Sequence, residues 1–308
     1  MSIAKSSLWV TGIFITSLTL AQTGSTPAMS PNALVQTVVA NELKQSESDP
    51  SRWMYELTQV ENGQNQTKQV VEMRDGSLDR LIAVNGQSLS VQKQSEETDR
   101  INKLVHHPQE QEKLNQQQRK NAAQCTALMK MMPAAFIFSY AGQEGDLVRL
   151  AFTPDPAFHS SSWEGRVLHA VAGTVLIHLG DQRLAAISGR LIEDVKFGGG
   201  FLGHLSSGGH FNIQRTNIGH GHWEITSLQV NMNGKALLFK SIAIQRNESK
   251  ANFKRVSDNL SPQAAAEELN SGTVLARGKI EQHLTHLFSV YDQSSLQILI
   301  TALNRPAD

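Results

Sequence analysis

The amino-acid sequence predicts an α+β fold in which a large antiparallel β-sheet packs on helices. Three observations carry that expectation. Short β-rich runs are punctuated by Gly, Asn and Asp roughly every eight to twelve residues, the rhythm of hairpins rather than of βαβ units. Residues 31–44 and 92–132 interrupt this rhythm with apolar positions at helical spacing. The stretch from 261 to 308 then returns to helical character.

At the N-terminus, Lys5 is followed by the apolar run Ser6–Ala21, with no acidic residue between them. A charged start followed by an apolar core is the pattern of an export signal, so residues 1–21 are expected to be removed and the protein to reach a bacterial periplasm. Small residues at Thr19 and Ala21 suit cleavage after Ala21, and Thr26 and Ala28 offer a second cut. Residues 22–30 form a disordered linker in this scheme. The apolar run falls short of the roughly 20 residues that cross a bilayer, and no later run reaches that length, so no stable membrane span is expected after signal removal. The chain has one cysteine, Cys125. It does not follow the signal, which argues against a lipid anchor, and a single thiol forms no internal disulfide.

About 285 residues remain, enough for a substantial core. Lys+Arg and Asp+Glu are both 28, giving no net charge. This balance argues against a nucleic-acid partner, which calls for a basic excess.

The first helix is expected over 31–44, with Ser30 as N-cap and Leu34, Val35, Val38, Val39 and Leu43 on its apolar side. Three strands in a meander follow between 51 and 90, turning at Asn62-Gly63, Asp75-Gly76 and Asn85-Gly86. The Gln-, Lys- and Glu-rich stretch 92–132 reads as a helical insertion, broken at His106-His107-Pro108 because proline disfavours helix in the preceding residue. Pro133 is expected to start a second strand-rich stretch. Strands are predicted over 136–140, 147–153, 166–172, 174–179, 184–195, 209–215, 222–231 and 235–246. The glycines at 198–200 suit a bend at a sheet rim. The simplest organisation is one domain over 31–260 and a helical tail over 261–308, whose face carries Leu284, Leu287, Phe288, Leu296, Ile298 and Leu299.

The segments DRLIAVNGQSLS (79–90), FIFSYAGQEGDLVRLAFTPDPAF (136–158), GTVLIHLGDQRLAAISGRLIEDVKFGGGFLGHLSSGGHF (173–211) and WEITSLQVNMNGKALLFKSI (223–242), in this order of elements, resemble the LolA-like outer-membrane lipoprotein-sorting proteins. That resemblance implies a curved antiparallel sheet, an incomplete barrel wrapped over helices, with an apolar concavity that shelters acyl chains. The partner it implies is a lipid or lipoprotein, and it implies neither an enzyme nor a cofactor. The chain departs from the carriers in its long polar insertion, its added tail and the absence of a counterpart to their barrel arginine. Alternate positions Phe136, Phe138, Leu150, Phe152, Val175, Ile177, Phe211, Ile213, Ile225 and Phe239 are the candidates to line the concavity. Alternation alone equally allows each of them to be ordinary core.

Two other functions compete. His210, His220 and His222 lie close in sequence, and the last two would share one face of a strand, which makes them candidate metal ligands with Glu224 as a further donor. The same stretch, rich in Asn217, Gly219 and Gly221, also reads as an exposed hairpin tip. A scaffold working through the insertion and the tail is the other alternative. Ser160–Ser162 lacks the G-x-S-x-G setting of a serine nucleophile, and the glycines at 198–200 lack a dinucleotide-binding context.

Overall fold

The computed structural model describes residues 29–61, 63–197, 203–236 and 240–276. Ser30 opens α1 (Pro31–Ser48) as expected, its Oγ accepting from Ala33 N at 3.3 Å, while Pro31 sits where a missing N–H costs nothing. The meander follows as β1 (Arg52–Glu61), β2 (Gln64–Met73) and β3 (Gly76–Val84). Asn85 and Gly86, both with positive φ (51° and 75°), form the tight turn into β4 (Gln87–Ser88). The polar stretch forms α2 (Val91–His106) and α3 (Pro108–Ala135), divided at His107-Pro108. Then come β5 (Phe136–Glu144), β6 (Leu147–Pro154), α4 (Trp163–His169), β7 (Val171–His178), β8 (Arg183–Leu191), β9 (Val195–Phe197) and β10 (Gly203–Leu205). The last elements are β11 (His210–Asn217), β12 (Trp223–Ala236), β13 (Lys240–Val256) and α5 (Pro262–Ala276).

The strands form one antiparallel sheet in the order β4-β3-β2-β1-β13-β12-β11-β8-β7-β6-β5, with β10 on β12 and β9 on β10. Two meanders are thus joined through the pairing of β1 with the C-terminal strand β13. Its ends, β4 and β5, do not pair with each other, so the sheet is not closed. A bulge in β13 opposite Met54–Glu56, with Asn252 at φ 56°, adds twist at that junction.

Register decides what each face carries. Tyr140, Leu150, Val175, Ile187, Ile213, Leu228 and Glu248 oppose one another in turn, a single row crossing seven strands on one face. This inner face holds the main hydrophobic cluster, onto which α1 packs with Leu34, Val35, Val38 and Val39. At the β1–β3 end, alternation sorts the residues: Trp53, Tyr55 and Val70 form one cluster, while Met54, Val71, Met73 and Leu78 face the opposite way. The second set is covered by Ile101 of α2 and by Ala265, Ala266 and Leu269 of α5. Arg80, buried beneath these helices, donates to Asn270 Oδ1 (2.6 Å), Thr98 Oγ1 (2.8 Å) and Gln94 O (3.1 Å), bolting β3 to both.

Helix α3, about 42 Å long at 1.5 Å per residue, reaches from one edge region of the sheet to the other. Near its start Asn115 sits against Gly76, where any Cβ would collide with it and where φ is 150°. Its end buries Leu128, Met132 and Ala135 in the main cluster. At the β5 edge, the Asn32 amide donates to Phe136 O and accepts from Phe138 N, both at 3.2 Å.

Several expectations are corrected. Residues 163–169 are helix, not the start of a strand over 166–172, because Ser162 Oγ caps Gly165 N at 3.0 Å and Glu164 lies in the first turn. Pro133 lies inside the last turn of α3, and the strand begins at Phe136. The strand over 184–195 breaks after Leu191, whose N–H bonds Gly209 O. The insertion is not wholly polar, since α3 supplies core residues. The tail forms α5 over Pro262–Ala276. Phe239, the expected signal over 1–21, the glycines at 198–200 and the expected face from Leu284 to Leu299 lie outside the described residues. No described helix is long and apolar enough to cross a membrane.

Candidate functional site

Between α1, α3, α4 and the inner face lies a cavity of about 340 Å³. Most of its wall is apolar. Met129 and Met132 come from α3, Val167 and Leu168 from α4, and Phe136, Phe152, Ile187, Leu191, Phe211, Ile213, Ile225, Leu228, Val230 and Met232 from the strands and their ends. Cys125 of α3 also faces it.

One end of the cavity is charged. Val35, Val38 and Val39 place Glu42 on the same buried side of α1, one turn further on. The carboxylate receives Arg183 Nε at 2.9 Å and Nη2 at 2.7 Å, Arg215 Nη1 at 2.6 Å and the Leu184 N–H at 2.9 Å. Burial works to raise its pKa. The Arg215 charge and the bonds from Arg183 and Arg215 outweigh that and hold it below the ordinary carboxylate value. The cluster therefore ties α1 to β8 and β11 with one carboxylate against two guanidiniums.

Beyond the end of α1, Asp49 Oδ2 lies 2.7 Å from His222 Nδ1, while Asp49 Oδ1 accepts from Ser51 N at 2.8 Å. Ser51 Oγ stands 3.2 Å from the same ring nitrogen and accepts from Trp53 Nε1 at 3.3 Å. Glu224 Oε2 is 3.7 Å from His222 Nε2, and the ring lies over Trp53 with centroids 5.3 Å apart. Serine, histidine and acid are the residue types of a hydrolytic triad, but here the hydroxyl and the Asp49 carboxylate compete for one nitrogen. Burial disfavours the imidazolium, yet the hydrogen bonds and charges of Glu224 and Asp49 prevail and raise the His222 pKa above 6.5. A triad sets the hydroxyl on one ring nitrogen and the acid on the other, whereas here Ser51 and Asp49 both stand at Nδ1.

A group whose pKa is raised on folding stabilises the fold at pH values below its unfolded pKa, and that stabilisation is lost as pH rises through the folded value. Thermal unfolding should therefore show Tm falling as pH rises from about 6.5 through the raised His222 value. Replacing His222 with Asn should flatten that segment of the profile. An unchanged slope in H222N would assign the pH dependence to other groups. Asp49 acts in the opposite range: its pKa lies well below 3.8, since bonds from Ser51, His222 and Gln45 overcome the effect of burial. Its contribution is present above 3.8 and lost only as pH falls through the depressed value.

The structure divides the sequence-predicted residues. Phe136, Phe152, Phe211, Ile213 and Ile225 line the cavity. Phe138, Leu150, Val175 and Ile177 are buried in the main cluster without being part of its wall. The histidines are not brought together. His210 is exposed on β11, and His220 occupies the hairpin tip with φ 53°, not a strand position shared with His222. Among the described residues no three His, Cys, Asp or Glu side chains are grouped to hold a metal ion. Sequence reasoning did not single out Glu42, Arg183, Arg215, Asp49 or Arg52 for this end of the cavity. Comparison of the chain with protein-family models, with curated proteins and with solved structures finds no match.

Proposed function

We propose that this protein is a non-enzymatic carrier that shelters one acyl chain, free or borne by a lipid or a lipidated protein, in the cavity beside α1 and α3. The observation that carries the proposal is the cavity itself: apolar over most of its wall and, at about 340 Å³, at the lower end of the roughly 300–1,000 Å³ typical of ligand pockets. Met129, Met132 and Met232 give the wall adaptable, polarisable surface suited to a flexible chain. The ring of His222, held between Asp49 and Glu224, favours the carrier over a hydrolase. The N-terminal export pattern read from the sequence supports a bacterial envelope as the compartment, in keeping with the resemblance to lipoprotein-sorting carriers.

Native mass spectrometry of protein purified from its own compartment should show a copurified lipid or fatty acid. Cys125 supplies a second readout, because it faces the cavity and is the one thiol of the chain. Saturation with a fatty acid should slow its alkylation. Protein that carries no lipid, and whose thiol reacts at the same rate with and without excess fatty acid, would falsify the carrier function.

A further inference from the structure

Two carboxylates tie the C-terminal part of α1 to the sheet: Glu42, buried against Arg183 and Arg215, and Asp49, which reaches His222. Between them Leu43 packs on the main cluster, while Lys44, Ser46, Glu47 and Ser48 are exposed. Leu43, Gln45, Ser46 and Asp49 nevertheless all line the cavity. The last turn of α1 is therefore a piece of cavity wall with little apolar burial to fix it, and local opening is easiest where such contacts are few. The Asp49 and His222 side chains are 22% and 18% exposed, so water reaches this rim.

Both nitrogens of the His222 ring face a carboxylate. Asp49 Oδ2 lies 2.7 Å from Nδ1, and Glu224 Oε2 lies 3.7 Å from Nε2. A doubly protonated imidazole presents an N–H to each acid. A neutral one has a single N–H, so one of the two carboxylates then faces a lone pair. In either tautomer the bond to Asp49 loses the ring charge that strengthens it, and in one of them it loses the proton as well. The other charged groups around the ring have tasks of their own. Lys250 of β13 lies 3.4 Å from Glu224, Arg215 of β11 and Arg52 of β1 donate to the Trp223 and Ser51 carbonyls, and Glu72 of β2 accepts from Trp53 N. Arg255 of β13 stands 5.9 Å from the centre of the Trp53 ring, and Asp181 of the β7–β8 turn accepts from Trp223 Nε1 and lies 3.7 Å from His178 Nδ1. None of these contacts joins Asp49 to the start of β12, as His222 does.

We infer that His222 is a pH-sensitive latch on the cavity: its charged ring holds the last turn of α1 against the sheet, and loss of its proton lets that turn move away from the bound chain. This rests on the carrier function proposed above and adds the regulation of its site. Glu42 stays in place as the hinge, because its partners are arginines. Burial lowers the His222 pKa, but the hydrogen bonds and charges of Glu224 and Asp49 outweigh it and put the change above 6.5. Asp49 remains ionised throughout, since its own pKa lies well below 3.8. The latch is thus closed in mildly acidic solution and open in alkaline solution.

The test uses the full chain and N-phenyl-1-naphthylamine, an apolar fluorophore that stays uncharged in this range, released from the protein by dilution. Between about pH 6 and about pH 9, which brackets the ordinary histidine value and the raised one, release should quicken roughly three- to tenfold, the scale of one partly exposed ion pair. His222→Asn should release the probe at one rate over the whole range, and Asp49→Asn should release it at the fast rate at every pH. Hydrogen exchange in the last turn of α1, corrected for its intrinsic pH dependence, should rise over the same step while the Leu34–Val39 stretch keeps its protection. A probe that binds but leaves at a pH-independent rate overturns the latch and leaves the carrier standing. The same holds if exchange in the last turn does not change, or if a His222→Asn protein that is folded by circular dichroism keeps the parent's pH profile. A probe that binds at no pH overturns both.

Discussion

Glu42→Ala should destabilise the fold by about 3–5 kcal/mol, the range found when one member of a buried ion cluster is removed. The substitution leaves Arg183 and Arg215 facing each other across a site where both side chains are at most 9% exposed, with no carboxylate between them. It also removes the acceptor of the Leu184 N–H. Three elements lose their common tie, since Glu42 belongs to α1, Arg183 to β8 and Arg215 to β11. Replacing all three residues together by Leu, Met and Met should recover much of the loss, because the cost lies in stranded charge more than in a missing attraction. Urea denaturation gives both values from the shift in midpoint. A loss below about 1 kcal/mol for Glu42→Ala, the scale of an exposed ion pair, would show that water reaches the cluster.

Phe152→Ala should cost a comparable amount, about 3–5 kcal/mol, by a different route. Its ring is 2% exposed and lies 4.6 Å from the Phe136 ring and 6.0 Å from the Phe138 ring, centroid to centroid. Truncation removes apolar burial and enlarges a cavity that Phe152 already lines. The loss should be partly restored by ligand, since a chain that fills the new space binds the native state and stabilises it by mass action. Thermal denaturation with and without a long-chain fatty acid measures both effects. A larger ligand-induced rise in Tm for the variant than for the parent is the expected sign, and an equal or smaller rise would place Phe152 away from the bound chain.

The alternating sheet and most of the helices were legible in the sequence because each has a local cause: turn residues at Asn85-Gly86, the Ser30 cap, the His107-Pro108 break. Helix α4 was misread because Val167, Leu168, Ala170 and Val171 suit either period over so short a run. The Ser162 cap followed by Glu164 was the signal that separates the two. Alternation identified the inner face but not the cavity wall. Ile177 and Ile213 look alike in sequence, and the wall is set by where α1, α3 and α4 come to lie. Glu42 did leave a trace, as a carboxylate one turn beyond Val38 and Val39 on an otherwise apolar helix face. Its arginines lie 141 and 173 positions further along the chain, and no local pattern links them.

The contact of Asn32 with β5 bears on how copies of this protein meet one another. An outermost strand offers its free amides and carbonyls to any neighbouring chain that can lie alongside. At Phe136 and Phe138 those groups are already taken by the Asn32 side chain, a fragment of amide standing in for the next strand. The first helix thus denies a foreign strand its foothold on the apolar half of the sheet. With those groups occupied, this stretch of β5 is not a template for aggregation.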